Sequence, residues 1–229
     1  MGYGKVLLML HGYLSSKESF IKQINFFSRF MRVVAVDMTG FGKGQTMEYP
    51  FSLDDYADEI CALLDAIGEE KVDVIAHSFG ARVVTRLLGK DKRIDKIVFT
   101  GAAGLKPRRR LKYFLKKASF FVLKKFVSRD KLKFLYSEDY RNLSPVMKKS
   151  FQKIIVDHLD EEYAKIQNKT LLVFGKNDRQ TPPYMAKRMK KLIKDSRLYF
   201  LANAGHFCFI KQADKFNTLV FNFLTENGK

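Results

Sequence analysis

Three residues in this chain have the types and positions needed for nucleophilic acyl transfer. Ser78 stands in Ala76-His77-Ser78-Phe79-Gly80-Ala81, Asp178 closes Gly175-Lys-Asn-Asp178, and His206 stands in Ala204-Gly205-His206-Phe207. A serine hydroxyl is a weak nucleophile until a base within hydrogen-bond reach takes its proton, and an imidazole oriented by a carboxylate is such a base. The small residues two places before and two places after Ser78 suit a tight strand-to-helix turn that presents a serine. Taken alone, a serine there reads equally well as a helix N-cap. An acid and a histidine at the ends of two later apolar runs, in the chain order Ser78, Asp178, His206, favour chemistry over capping.

The elements that must hold these residues are short apolar runs alternating with amphipathic stretches. Val6–Leu10, Val33–Val36, Val72–Ala76, Ile97–Thr100, Leu171–Phe174 and Leu198–Leu201 are continuous enough to be strands buried on both faces. Between them, Phe20, Ile24, Phe27 and Phe30 mark one helix, and Tyr56, Ile60, Leu63, Leu64 and Ile67 mark another, opened by the capping-box-like Ser52-Leu-Asp-Asp55. Val83 to Leu88 follow Gly80 in helical spacing. Pro182-Pro183 suits the first turn of a helix to about Ile193, and Phe216 to Phe223 mark the last. This alternation predicts an α/β fold with a mostly parallel sheet of about six strands, helices on both faces, and functional groups beyond the carboxyl ends of the strands.

With His11-Gly12-Tyr13, Asp37-Met-Thr-Gly40-Phe-Gly42, the Ser78 turn, Gly175-Lys-Asn-Asp178 and Ala204-Gly205-His206-Phe207, the chain resembles the α/β-hydrolase superfamily. The resemblance implies a serine hydrolase that cleaves a carboxylic ester through an acyl-enzyme. Ser78 is then the nucleophile, His206 the base and Asp178 its orienting acid, with an oxyanion hole formed by the backbone N–H groups of Tyr13 and Phe79. It also implies that the two leading antiparallel strands of the usual eight are missing, and that a helical cap is inserted after the strand at Ile97–Thr100. The expected organisation is a hydrolase core over 1–104 and 166–229 with a basic helical cap over 105–165. Ala76 and Ala81 depart from the family's usual glycines. Related dehalogenases and epoxide hydrolases carry Asp at the turn, so the serine points to acyl transfer instead. A lipase or monoacylglycerol-type esterase, a C–C bond hydrolase and a perhydrolase would use the same triad. A noncatalytic binding protein on this fold would have no need to keep all three residues.

Charge locates the insertion independently. The 229 residues carry 42 Lys and Arg against 24 Asp and Glu, a formal net charge of +18. Fifteen of the basic residues but only three acids (Asp130, Glu138, Asp139) fall between Leu105 and Ser150. From Leu111, residues Phe114, Leu115, Ala118, Phe121, Val122 and Phe126 share one side of a helical wheel, with most lysines outside it. Tyr113, Phe120 and Leu123 interleave with those lysines, which suits peripheral contact with anionic lipid; a solvated lysine-rich face is the alternative. Nucleic-acid binding rests on the net charge alone, without a recognised module, and none that is sequence-specific is expected.

The remaining candidates are expected to be structural. His77 packs behind the turn, His11 shapes the oxyanion loop, Asp37 fixes a turn, His158 is exposed and Cys208 is a buried apolar residue. Two cysteines, Cys61 and Cys208, exclude a disulfide scaffold and a Cys-rich metal site. No metal or cofactor is expected, and there is no dinucleotide or Walker-type glycine loop. Only five apolar residues precede His11, too few for a signal h-region or a membrane span, so a cytoplasmic location is expected.

Overall fold

Val6-Leu-Leu-Met-Leu10 has side chains that need burial on both sides, and it forms the second strand in from one edge of the sheet. The computed structural model describes residues 1–108, 140 and 143–226. Among these, six strands form one sheet: β1 (Val6–Leu10), β2 (Arg32–Val36), β3 (Val72–His77), β4 (Ile94–Thr100), β5 (Thr170–Gly175) and β6 (Ser196–Leu201). Their order is β2-β1-β3-β4-β5-β6, and every pairing is parallel.

The connections are helices α1 (Ile21–Phe27), preceded by a 3₁₀ turn at Lys17–Phe20, α2 (Leu53–Ile67), α3 (Phe79–Leu87), α4 (Pro145–Val156), α5 (Asp160–Lys165), α6 (Pro183–Leu192), α7 (Cys208–Lys211) and α8 (Ala213–Thr225). The capping box at α2 is present: Ser52 Oγ accepts from the Asp55 amide, and the Asp55 carboxylate accepts from the Ser52 amide. Gly68 stops that helix at φ 74°, a conformation glycine adopts without strain.

Strand alternation sorts the core into two layers. Val6, Leu8, Leu10, Val72, Val74 and Ala76 face α2, α3 and α6, whereas Leu7, Met9 and Ile75 face α1, α7 and α8. Each fully buried aliphatic or aromatic side chain contributes about 1.5–3 kcal/mol, so these layers supply the driving force for the fold. Met147, Ile154, Leu159 and Tyr163, from α4, α5 and the turn between them, join the first layer. The part of the expected cap that is described therefore rests directly on the hydrolase core. The amphipathic helix expected from Leu111 to Phe126 lies outside the described residues.

Two strands begin two or more residues earlier than the apolar runs suggest. β4 starts at Ile94, ahead of Asp95 and Lys96, and β6 starts at Ser196. β6 is an edge strand whose alternate residues face outward, so polar side chains are tolerated there.

Candidate active site

The parallel order places the ends of β3, β4, β5 and β6 side by side, and these ends carry Ser78, Gly101, Asp178 and His206. Ser78 follows β3 directly, with φ 50° and ψ −104°. A non-glycine residue held at such a conformation costs about 1–3 kcal/mol and persists only where its surroundings over-determine it. Those surroundings are visible. The Ser78 amide donates to the Thr100 carbonyl at 3.1 Å, and the Ser78 carbonyl accepts from Ala81 and Ala103, both at 3.2 Å. Gly80 admits the close crossing of α3 over β1: a Cβ there would collide with the Leu10 carbonyl and lie 2.9 Å from the His11 oxygen. Ser78 is the N-cap residue of α3 by position, yet its side chain makes no capping hydrogen bond. That removes the capping explanation for a serine at this place.

Asp178 and His206 are held by polar contacts instead. His206 Nδ1 donates to Asp178 Oδ2 at 2.9 Å, and both residues are buried, at 8% and 3% exposure. Asp178 Oδ1 accepts from the amides of Gln180 (2.8 Å) and Thr181 (2.9 Å), and Oδ2 also accepts from Thr181 Oγ1 at 2.7 Å. Burial pushes the Asp178 carboxyl up, but the hydrogen bonds from His206 and Thr181 outweigh it and hold it below the usual carboxylate range. The carboxylate fixes the tautomer of His206 with the proton on Nδ1 and leaves Nε2 as an acceptor.

The imidazole of His206 reaches back across β5. A Cβ on Gly101, at the end of β4, would lie 3.1 Å from both Cε1 and Nδ1 of His206. Gly101, at φ 53°, thus leaves the space that the ring occupies. No sequence signal marks the room Gly101 leaves for this ring or the contact of Thr181 with Asp178.

His77 lies behind the turn, as expected. It is 1% exposed, its ring stands 4.7 Å from that of His206, and its Nε2–H donates to the His206 carbonyl at 3.3 Å. Burial, reinforced by the neighbouring His206, pushes its pKa well below the usual histidine value. His11 is also buried and neutral in character: its Nδ1–H donates to the Gly12 carbonyl (2.7 Å) and its Nε2 accepts from the Met38 amide (3.2 Å). It braces the loop that carries Tyr13. That loop passes directly over the turn, since a Cβ on Gly12 would lie 2.8 Å from His77 Nδ1 and 3.5 Å from Ser78 Cβ. Among the described residues neither the Tyr13 amide nor the Phe79 amide donates a hydrogen bond, and Phe79 is the first residue of α3, where N–H groups are left free. The Tyr13 hydroxyl donates to the Met147 carbonyl at 3.0 Å, tying this loop to α4, a contact no sequence signal announces.

The expectations for Asp37, His158 and Cys208 hold. Asp37 accepts from the amides of Lys17 and Lys43 and pairs with Lys17 Nζ at 3.1 Å, so it pins a turn. His158 is exposed. Cys208 is fully buried, with its thiol pushed up to about 11 by burial. Among the described residues no group of three or more His, Cys, Asp or Glu is placed to hold a metal ion, and no helix is long and apolar enough to cross a membrane.

Comparison with known proteins agrees with this fold. Residues 5–134 match the family model described as alpha/beta hydrolase fold, and residues 150–229 match one described as TAP-like protein. The chain is 25% identical to the AB hydrolase superfamily protein YisY of Bacillus subtilis, over 97% of this chain and 92% of that protein. It is 23% identical to 2-hydroxy-6-oxo-2,4-heptadienoate hydrolase of Pseudomonas putida, over 98% of this chain and 90% of that protein. Among solved structures, the meta-cleavage product hydrolase CumD of Pseudomonas fluorescens superposes with a TM-score of 0.75 at 25% identity, covering 99% of this chain and 93% of that one. An esterase from Exiguobacterium antarcticum superposes with a TM-score of 0.79 at 21% identity, covering 99% of this chain and 94% of that one, a likeness of fold. With a six-stranded parallel sheet, a strained serine turn after β3 and a family match over more than half its length, this chain is a member of the α/β-hydrolase family and a hydrolase.

Proposed function

We propose that the chain is a serine hydrolase that cleaves a carboxylic ester through an acyl-enzyme. The observation that carries this reading is the buried Asp178–His206 hydrogen bond, set beside a serine that is held strained yet uncapped. Ser78 Oγ attacks the ester carbonyl while His206 Nε2 takes its proton, and the imidazolium that forms is stabilised by Asp178. The oxyanion is met by the amides of Tyr13 and Phe79. His206 returns the proton to the departing alkoxide, then activates a water that releases the acid. Ser78 Oγ makes no hydrogen bond with another described residue, so in this mechanism its hydrogen bond to His206 Nε2 forms only with substrate in place.

A second reading is favoured by the relatives. Several carry names such as 2-hydroxy-6-oxo-2,4-heptadienoate hydrolase and 2-hydroxymuconate semialdehyde hydrolase. The same three residues can serve hydrolysis of a C–C bond beside a ketone, with a carbon rather than an oxygen leaving group.

One experiment separates them. p-Nitrophenyl esters of rising acyl length and a 2-hydroxy-6-oxo-dienoate are offered to the wild-type protein and to Ser78→Ala. The ester reading expects turnover of short esters, lost by on the order of 10³-fold or more in Ser78→Ala. Turnover of the dienoate alone would favour C–C cleavage, and unchanged turnover in a folded Ser78→Ala protein would remove both readings.

A further inference from the structure

On the face of the sheet opposite α2 and α3, an open groove of about 790 Å³ runs between α1 and the α7–α8 turn. Lys22 and Arg29 line it from the α1 side, Lys211 and Lys215 from the α7–α8 side, with Asp214 the one carboxylate among the lining residues. Elsewhere some cations are matched and others, such as Lys71 and Lys92, are not among the described residues. Lys5, Arg86, Lys90, Arg93, Arg188 and Arg197 each have a carboxylate within ion-pair distance. The four groove cations have none among the described residues. Four like charges facing one groove repel one another, a cost that an anion between them removes.

The floor of the groove adds a directional donor. Gln23, fully buried, donates Nε2–H to the Phe209 carbonyl at 2.9 Å. A carbonyl can only accept, so the amide orientation of Gln23 is settled. Its second N–H donates to Asn217 Oδ1 at 3.0 Å, which in turn settles Asn217. Asn217 is 3% exposed and lines the groove, and its Nδ2 has no hydrogen-bond acceptor among the described residues. A pinned amide donor at the floor and four cations without a carboxylate partner on the walls form a lining that mostly donates, although Lys22 Nζ also donates to the Ile210 carbonyl and Arg29 Nε to the Phe26 carbonyl, both at 3.3 Å. Arg29 is further held in place, its guanidinium stacked 5.0 Å from the Phe26 ring and 5.4 Å from that of Phe30.

We propose that this groove binds a phosphate-bearing anion, gripped by Lys22, Arg29, Lys211 and Lys215 and oriented by the Asn217 amide. A phosphate offers several acceptor oxygens and up to two charges, so it can engage donors on both walls and on the floor at once. The free phosphate of a small molecule and the headgroup of an anionic lipid share this chemistry. The site lies apart from Ser78, and nothing in it depends on the hydrolase reading.

Calorimetric titration with inorganic pyrophosphate at low salt tests the site, and flotation with phosphatidylglycerol or phosphatidylcholine vesicles identifies the source of the phosphate. Asn217→Asp keeps the acceptor that Gln23 needs while replacing the free donor with a carboxylate, and Lys92→Gln changes net charge equally at an exposed position outside the groove. Asn217→Asp is expected to weaken pyrophosphate binding about tenfold or more, and Lys92→Gln less than about twofold. The exposed pair Lys211→Gln with Lys215→Gln, which removes no buried contact, is expected to act like Asn217→Asp. Phosphatidylglycerol binding that falls in the same variants points to a lipid headgroup. Pyrophosphate binding without it points to a soluble phosphate compound. Equal losses in Asn217→Asp and Lys92→Gln, or no binding of either probe to the wild-type protein, would overturn the proposal.

Discussion

The turn that carries Ser78 and the loops that carry Asp178 and His206 hold their side chains by opposite means. At the turn, position comes from backbone geometry: a serine at φ 50°, a glycine two residues on that admits the β1 carbonyls, and backbone hydrogen bonds to the end of β4 and the residues after it. In the loops of Asp178 and His206, position comes from polar side chains and amides converging on one buried carboxylate. Damage to the first region should therefore be steric and register mainly in stability. Damage to the second should be chemical, graded and visible in turnover while the fold survives.

The largest effect tests the polar region. Asp178→Asn keeps the volume but removes the charge and the acceptor that fixes the His206 tautomer. kcat is expected to fall by about 10⁴-fold while the protein stays folded, as for loss of a triad carboxylate. A fall below about tenfold would mean that this carboxylate does not orient the base. Next is the steric region: Gly80→Ala drives a methyl group into the Leu10 and His11 carbonyls. A cost of about 3 kcal/mol or more is expected in denaturant unfolding, and a wild-type midpoint would show that the crossing is not tight.

A finer cut returns to the polar side. Thr181→Val deletes one hydrogen bond to Asp178 Oδ2, and kcat should fall about tenfold with KM nearly constant, the worth of one charge-assisted bond. Equal loss in kcat/KM through KM alone would assign Thr181 to substrate binding.

The smallest expected effect concerns pH. The pKa of His77 is held well below its unfolded value by burial, so below about pH 6.5 the unfolded chain binds a proton that the folded chain does not. Stability should fall as pH drops from about 7 toward 5, by at most about 1.4 kcal/mol per pH unit from this one group. His77→Gln should flatten that slope without abolishing it, because the pKa of buried His11 is lowered too. Asp178 acts in a separate, more acidic window: its depressed carboxyl stabilises the fold above its unfolded value of about 3.9, and that contribution fades as pH falls through its folded value. Identical slopes in wild type and His77→Gln would contradict a neutral buried imidazole.

Much of this was legible in the sequence because the residues concerned terminate apolar runs. Ser78, Asp178, His206 and the Tyr13 loop all follow strands whose hydrophobic continuity is unmistakable. Residues whose roles arise only once strands lie side by side were not legible. Gly101 makes room for a ring delivered from two strands away, and Thr181 sits in a loop with no local pattern. Gln23 and Asn217 meet across most of the chain, so no periodicity links them. The starts of β4 and β6 were missed because charged and polar residues at half-exposed positions interrupt the apolar signal.

The central claim is that Ser78 is a nucleophile activated by His206, and covalent labelling addresses it most directly. The folded protein is treated with a fluorophosphonate and the adduct located by peptide mass spectrometry. A single adduct on Ser78, formed rapidly in the wild-type protein and slowed by orders of magnitude, roughly 10³-fold, in His206→Ala, is the expected result. Failure of the folded wild-type protein to label, or an adduct that forms equally fast without His206, would contradict the account.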